Sequence, residues 1–154
     1  MENRVVRTAL AEDLEVLLEF EQGIIEAERP FDSTIKEGEI HYYDLGQLIE
    51  SPNAEVVVAE IDHQIIGSGY AVIRNAQAYL KHSRYAYLGF MYVKPEHRGK
   101  GINRAILEAL KQWVISQKIT EIRLEVYDDN DIAKNAYQKA GFKAHLLEMR
   151  MEAG

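Results

Sequence analysis

Between residues 85 and 116 the chain passes from an apolar strand to an amphipathic helix through a turn in which glycines alternate with basic residues: Val93-Lys94-Pro95-Glu96-His97-Arg98-Gly99-Lys100-Gly101-Ile102-Asn103-Arg104. No other stretch limits the fold as strongly. Tyr85 to Val93 is nearly all apolar, which predicts a strand covered on both faces. Gly89 inside it predicts a bulge or a close backbone approach. Pro95 forces an extended exit. Ile102, Ala105, Ile106, Ala109, Leu110, Trp113 and Val114 then fall on one helical stripe. A buried strand feeding a helix through such a turn makes an anion cradle. Glycines let backbone N–H groups approach a phosphate, and the helix N-terminus adds donors and a positive dipole end. The turn alone fits equally well a plain strand–helix connection with exposed basic residues. It is not a P-loop, which needs Ser or Thr where Gly101 stands. It is not the dinucleotide fingerprint either, whose third glycine would fall at Arg104.

The flanking segments predict a mixed order of elements. Arg4–Thr8 alternates as a short strand, and Leu10 to Ile25 carries helical spacing that Pro30 ends. Residues 31–52 predict one or two short helices, with Thr34 and Glu37 as a capping box. Glu55–Ile61 and Ile65–Asn75 pair as a hairpin across Asp62-His63-Gln64. Glu121–Val126 predicts a strand, Asp131–Ala140 a helix closed by Gly141, and Phe142–Met149 a last strand. The order is β-α-(α)-β-β-β-α-β-α-β, an α/β sandwich of one sheet and flanking helices, with no linker or repeat to divide residues 1–154.

Composition removes whole classes of function. There is no cysteine among the 154 residues, so disulfides, thiolate metal sites and a cysteinyl intermediate are excluded. Lys and Arg number 18 against 25 Asp and Glu, a net charge of −7, which lacks the basic field of a nucleic-acid binder. No apolar run approaches the ~18 residues a membrane span needs. Met1-Glu2-Asn3-Arg4 opens no export signal, so the expected location is the cytoplasm.

A second constellation follows at Asn130-Asp131-Ile132-Ala133-Lys134-Asn135-Ala136-Tyr137-Gln138-Lys139-Ala140-Gly141-Phe142. Asn130 sits where a strand yields to a helix and suits an N-cap. Tyr137 lies two helical turns further along the same face. Read alone, these two residues cap and pack. Together and in this order, however, V-x-P-x-x-R-G-x-G and N-x-x-A-x-x-x-Y-x-K-x-G-F resemble the GNAT superfamily of acetyl-CoA-dependent N-acetyltransferases. The resemblance runs from the first strand to Phe142.

It implies a mostly antiparallel central sheet whose fourth and fifth strands splay to admit the pantetheine arm of CoA. It implies that the backbone of Met91, Tyr92 and Val93 bonds the pantetheine and the acetyl carbonyl. The turn formed by Arg98, Gly99, Lys100, Gly101, Ile102 and Asn103 would hold the pyrophosphate. Asn130 would touch the CoA arm, and Tyr137 would serve the thioester sulfur as general acid. The co-substrate is acetyl-CoA, no metal is required, the acceptor is a small primary amine, and a homodimer is compatible. Two positions depart from the family pattern. Asn103 stands where Gly or Ala closes the loop, and Gly89 and Phe90 stand where many relatives carry a basic carboxylate. Glu26, Glu28, Tyr70, Tyr87 and His82 are all candidates for the base. A protein or peptide acetyltransferase and a non-catalytic acyl-CoA-binding module are the alternatives.

Overall fold

Five strands hydrogen-bond in sequence order, β1 (Arg4–Thr8), β2 (Ala54–Ile61), β3 (Gln64–Asn75), β4 (Arg84–Val93) and β5 (Ile122–Leu124). The computed structural model describes residues 3–154. The first three pairings are antiparallel and β4–β5 is parallel. Among the described residues four α-helices flank the sheet: α1 (Leu14–Glu28), α2 (Leu45–Glu50), α3 (Ile102–Ser116) and α4 (Asp131–Lys139).

Strand alternation sorts the core onto two faces. On β2, Val57, Ala59 and Ile61 pack with Ile106, Leu110 and Val114 of α3, while Val56 and Val58 pack with Leu17, Phe20 and Ile24 of α1. β1 is braced at its edge by Arg7, which forks onto Asp13 at 2.8 and 3.0 Å and reaches Glu60 at 2.9 Å. Asp13 is 5% exposed and also accepts the Leu10 N–H at 2.7 Å, closing the turn that leads into α1.

The third and fourth strands carry the feature that shapes the centre of the molecule. Register slips between Ser68 and Tyr70: Ser68 pairs with Tyr92 and Tyr70 with Gly89, so Phe90 and Met91 together oppose Gly69. Phe90 takes φ +57°, an uncommon value for an aromatic residue. As a result Ala86 and Leu88 face α3, whereas Phe90, two residues on, faces α1 beside Tyr70. This is a β-bulge: one extra residue reverses the facing of everything after it. The fully buried Ser68 donates its hydroxyl to the Phe90 carbonyl at 3.1 Å and satisfies an acceptor the ladder has lost. Gly89 is needed because the Tyr70 ring lies across it; a Cβ there would come within 2.8 Å of that ring.

The expected fold class holds, and several boundaries are corrected. Thr34 and Glu37 cap no helix. Asp32 instead receives the Thr34 N–H at 2.9 Å in a local turn, and the one helix of this region starts at Leu45 with Asp44 as its cap. Asp competes well for nearby N–H groups, which favours turns over helix. Pro30 sits inside a short 3-10 turn, Arg29–Phe31, that continues α1. β5 has three residues, not six. Residues 142–149 form no strand, and Leu146, Leu147 and Met149 are exposed. Alternation makes a strand only against a partner, and so short a β5 offers almost no edge to pair with.

Candidate active site

β4 and β5 pair at only three positions, Ala86 with Ile122 to Leu88 with Leu124. Beyond Leu88, where the bulge begins, the two strands have no ladder between them, and a gap opens. Met91, Tyr92 and Val93 lie on the β4 side of this gap. Lys94 donates its N–H to Ile66 on β3 at 2.8 Å, so strand alternation turns the N–H groups of Val93 and Met91 away from β3, toward the gap. The Tyr92 ring goes to the other face, where it packs on Phe20 with centroids 4.8 Å apart and closes over Gly23 of α1.

At the end of β4 the glycine turn forms a hollow of about 220 Å³, lined by Val93, Arg98, Gly99, Gly101, Ile102 and Asn103, with His97 and Arg104 at its sides. Gly99 and Gly101 take φ +76° and +81°. A Cβ on either would meet nothing within 4 Å. The glycines therefore serve the left-handed backbone and leave it bare, which is what an anion needs to reach the N–H groups opening α3. Gly101 is the N-cap, and no side chain caps that helix end.

Two residues of the turn do structural work. Arg98 donates Nε to the Val93 carbonyl at 2.9 Å and lies 5.9 Å from the Tyr92 ring centroid. Lys100 contributes its carbonyl, which accepts from Arg4 at 3.0 Å. Among the described residues His97 Nδ1 is the one buried side-chain nitrogen or oxygen with no hydrogen-bond partner, and it stands at this hollow. Sequence reading passed over His97; an orphan of this kind becomes visible only when burial is known.

α4 follows β5, and Tyr137, Ala140 and Phe142 at its C-terminal end pack against the core cluster that includes α3. Asn130 caps α4, with Oδ1 accepting the Ala133 N–H at 3.2 Å, so its amide nitrogen is the group left for a ligand. Tyr137 packs edge-on against Phe142 at 5.9 Å. Burial, with the nearby charge of Glu28 second, raises its phenol to about 12. It keeps its proton through the neutral range.

Aromatic rings and carboxylates that no sequence motif gathers meet in the structure. Tyr87 donates to Glu125 at 2.9 Å just where the strands part. Phe31 and Tyr127 stack with centroids 5.7 Å apart, and the Tyr127 hydroxyl reaches Asp32 at 3.5 Å. Tyr43 meets Tyr70 and Phe90 edge-on at 5.3 and 5.4 Å. Burial raises the Tyr43 and Tyr70 phenols, and burial together with the bond to Glu125 raises Tyr87.

The loop carrying Tyr42 and Tyr43 is fixed from beneath. Glu21 of α1 is fully buried, and its carboxylate accepts the N–H groups of Tyr42 and Tyr43, each at 2.9 Å, with His41 Nδ1 at 2.7 Å. Its bond to Glu21 raises the exposed His41 imidazole above its ordinary value. Glu21 escaped sequence reading because a glutamate on an amphipathic helix ordinarily faces water.

Residues 20–142 match the model of the acetyltransferase (GNAT) family. Over 50 residues the chain is 42% identical to the streptothricin acetyltransferase of Escherichia coli; this match spans 32% of the chain and 29% of that protein. A crystallised variant of a Bacillus halodurans protein superposes with TM-score 0.82 at 22% identity, over 96% of this chain and 98% of that one. A predicted acetyltransferase of Clostridium acetobutylicum, crystallised with acetyl-CoA, superposes with TM-score 0.72 at 22% identity, over 97% and 96% of the two chains. At such identities these superpositions establish the shared fold.

Proposed function

Because the chain belongs to the acetyltransferase (GNAT) family and is therefore an acyltransferase, we propose that it transfers an acetyl group directly from acetyl-CoA to the primary amine of a small molecule. One observation carries the reading: a bare-backbone anion cradle lies at the end of β4, and where β4 parts from β5 tyrosines pair with carboxylates, Tyr87 with Glu125 and Tyr127 with Asp32. The first suits a pyrophosphate. The second suits a compact cationic amine, because carboxylates attract the ammonium and ring faces attract cations.

The residues fit acetyl-CoA. Gly99 to Asn103 would bind the pyrophosphate through backbone N–H groups at the head of α3. Arg98 braces the turn and adds positive charge, as does Lys100. Asn103 keeps its N–H, and its side chain lines the hollow without closing it. The Met91 and Val93 N–H groups would hold the pantetheine and polarise the acetyl carbonyl, acting as an oxyanion site. Asn130 would hold the arm from the opposite side, and Tyr137 would stand at the sulfur. When bound, acetyl-CoA supplies an acyl group on a good leaving thiolate, so no nucleophilic side chain is required. The local identity to streptothricin acetyltransferase, an enzyme whose name denotes a small-molecule acceptor, points the same way.

Thiol release from acetyl-CoA across amino sugars, polyamines, amino-acid amides and a lysine-containing peptide tests the proposal. Release with the small amines is expected. Release with the peptide alone would transfer the proposal to a protein or peptide acetyltransferase.

A further inference from the structure

An ammonium has no lone pair with which to attack a thioester, so the acceptor must first lose a proton. The family's usual place for a base is closed here. Gly89 lies under the Tyr70 ring and Phe90 is 2% exposed in the α1 core. Other ionisable groups near the gap are engaged elsewhere or unsuited. The Glu26 side chain is 69% exposed and pairs with Arg29 at 2.9 Å. His82 lies 3.1 Å from the Arg123 guanidinium. Tyr70 and Tyr87 hold their protons more tightly than free phenols do.

Glu28 differs from all of these. It ends α1, which puts it at the rim of the gap, and it is half-buried. The Tyr42 phenol stands beside its carboxylate. The groups that face it from other elements are the phenols of Tyr42, Tyr43, Tyr127 and Tyr137 and the carboxylate of Asp32. Adjacent Arg29 is occupied by Glu26 and by the carbonyls of Lys36 and Gly38, while Arg150 turns to Asp32 at 3.3 Å. Among the described residues no cation pairs with Glu28. It is a carboxylate without a counter-ion, walled by rings, on the same gap as Tyr137.

We propose that Glu28 receives the acceptor ammonium and takes its proton, with Tyr42 as the residue that positions the carboxylate. This rests on the acetyltransferase reading above. The ammonium gives one proton to Glu28, which passes it to solvent. The freed lone pair forms the C–N bond as the carbonyl π pair moves onto oxygen. That pair then returns, the C–S bond breaks with its electrons on sulfur, and the second nitrogen proton goes to solvent. The thiolate, held by the Tyr137 hydroxyl, takes a proton from water. The sum is amide, free thiol and one released proton.

Burial, opposed by the Tyr42 hydrogen bond and reinforced by Asp32, lifts the Glu28 carboxyl above its ordinary range. Such a lift brings a carboxylate closer to the basicity its task needs.

The test compares parent, Glu28→Gln and Tyr42→Phe with the fastest amine of the panel above. Glu28→Gln should lower kcat/KM roughly 100-fold and remove the acid limb of its pH profile, while acetyl-CoA raises the melting temperature as much as in the parent. Tyr42→Phe removes the hydroxyl that favours the ionised carboxylate, so its acid limb should move to higher pH, which loss of packing alone would not do. A Gln variant within about twofold of the parent, with its acid limb intact, overturns the proposal. Carbon-13 NMR of the carboxyl groups in acetyl-CoA-loaded protein, with Glu28→Gln for assignment, reads the same group without an acceptor. A Glu28 midpoint above the ordinary ~4.3 supports the proposal, and one at or below that value overturns it. Failure of the parent to show any thermal shift with acetyl-CoA would instead remove the acetyltransferase reading beneath it.

Discussion

Replacing Tyr137 by Phe removes one hydroxyl and keeps the ring. The ring is what packs on Phe142 at 5.9 Å, and among the described residues nothing hydrogen-bonds the hydroxyl. Folding stability should therefore change by less than about 0.5 kcal/mol, within about 2 °C of the parent's melting temperature. The kinetic effect follows from acidity. Burial and the Glu28 charge raise the phenol to about 12, whereas a free thiol sits near ~8.5. Full proton transfer from this phenol to a departed thiolate is thus uphill by roughly 3.5 pKa units, or about 5 kcal/mol. Tyr137 should act chiefly by donating a hydrogen bond to sulfur as charge builds, with water completing the protonation. A charge-assisted hydrogen bond contributes about 1.5–3 kcal/mol, which corresponds to a roughly 10- to 100-fold loss in kcat for the Phe variant. Because the contact strengthens only as the C–S bond breaks, kcat and kcat/KM should fall together while acetyl-CoA affinity holds. No alkaline limb from Tyr137 should appear below about pH 12. Steady-state thiol release with a single-turnover control for product release is the assay. A Phe variant within about twofold of the parent, with chemistry limiting, would refute the sulfur contact and leave Tyr137 a packing residue.

Gly101→Val places a β-branched residue at φ +81° with no neighbour to clash; the backbone cost of about 1–2 kcal/mol should lower the melting temperature by roughly 2–8 °C, and acetyl-CoA affinity by isothermal calorimetry should drop more than about tenfold. Equal losses of stability and affinity would mark the turn as structural only. Gly89→Ala forces a Cβ to within 2.8 Å of the Tyr70 ring, so denaturant unfolding should show about 1–3 kcal/mol of destabilisation from overpacking, partly relieved when Tyr70→Ala is combined with it. The bonds from Arg7 hold the Asp13 carboxyl below its ordinary value. A depressed carboxyl contributes stability that is present above its unfolded value of ~3.9 and is lost as pH falls through the folded one. Asp13→Asn should therefore destabilise the fold by about 2 kcal/mol at neutral pH, and the gap to the parent should shrink below about pH 4; a gap that does not vary with pH would exclude the ion pair as its source.

The part of the site that lies in one continuous stretch was legible in the sequence. Val93 to Arg104 shows its strand, its glycines and its helix in a single reading frame, and their spacing fixes what the backbone can do. The tyrosine and carboxylate pairs beyond it were not legible. Tyr42, Tyr87 and Tyr127 stand far apart along the chain, and they converge only because β4 and β5 part after three pairs and because Glu21 pins the 41–43 loop. Gly89 signalled a bulge, but not that Phe90 would turn to the other face, since that depends on Ser68 and Tyr70 across the ladder. The missing last strand shows the limit of periodicity: residues 142–149 alternate well enough, yet pairing is a property of two segments and is not written in one.

The three-pair ladder between β4 and β5 also bears on the order in which the molecule assembles. Every other ladder joins strands through antiparallel pairing of five to eight residue pairs, and β2–β3 and β3–β4 lie close in sequence. β5 can dock only after α3 has crossed the sheet face, because its parallel partner lies beyond that helix. The segment from Ile122 onward, with α4 and Tyr137, is thus the last part of the chain to gain its contacts and the first to lose them. In native-state hydrogen exchange its amides should open at a lower free energy than those of β2 and β3. A ligand gripped by both β4 and α4 would close that difference, fastening the late-folding last fifth of the chain to the rest.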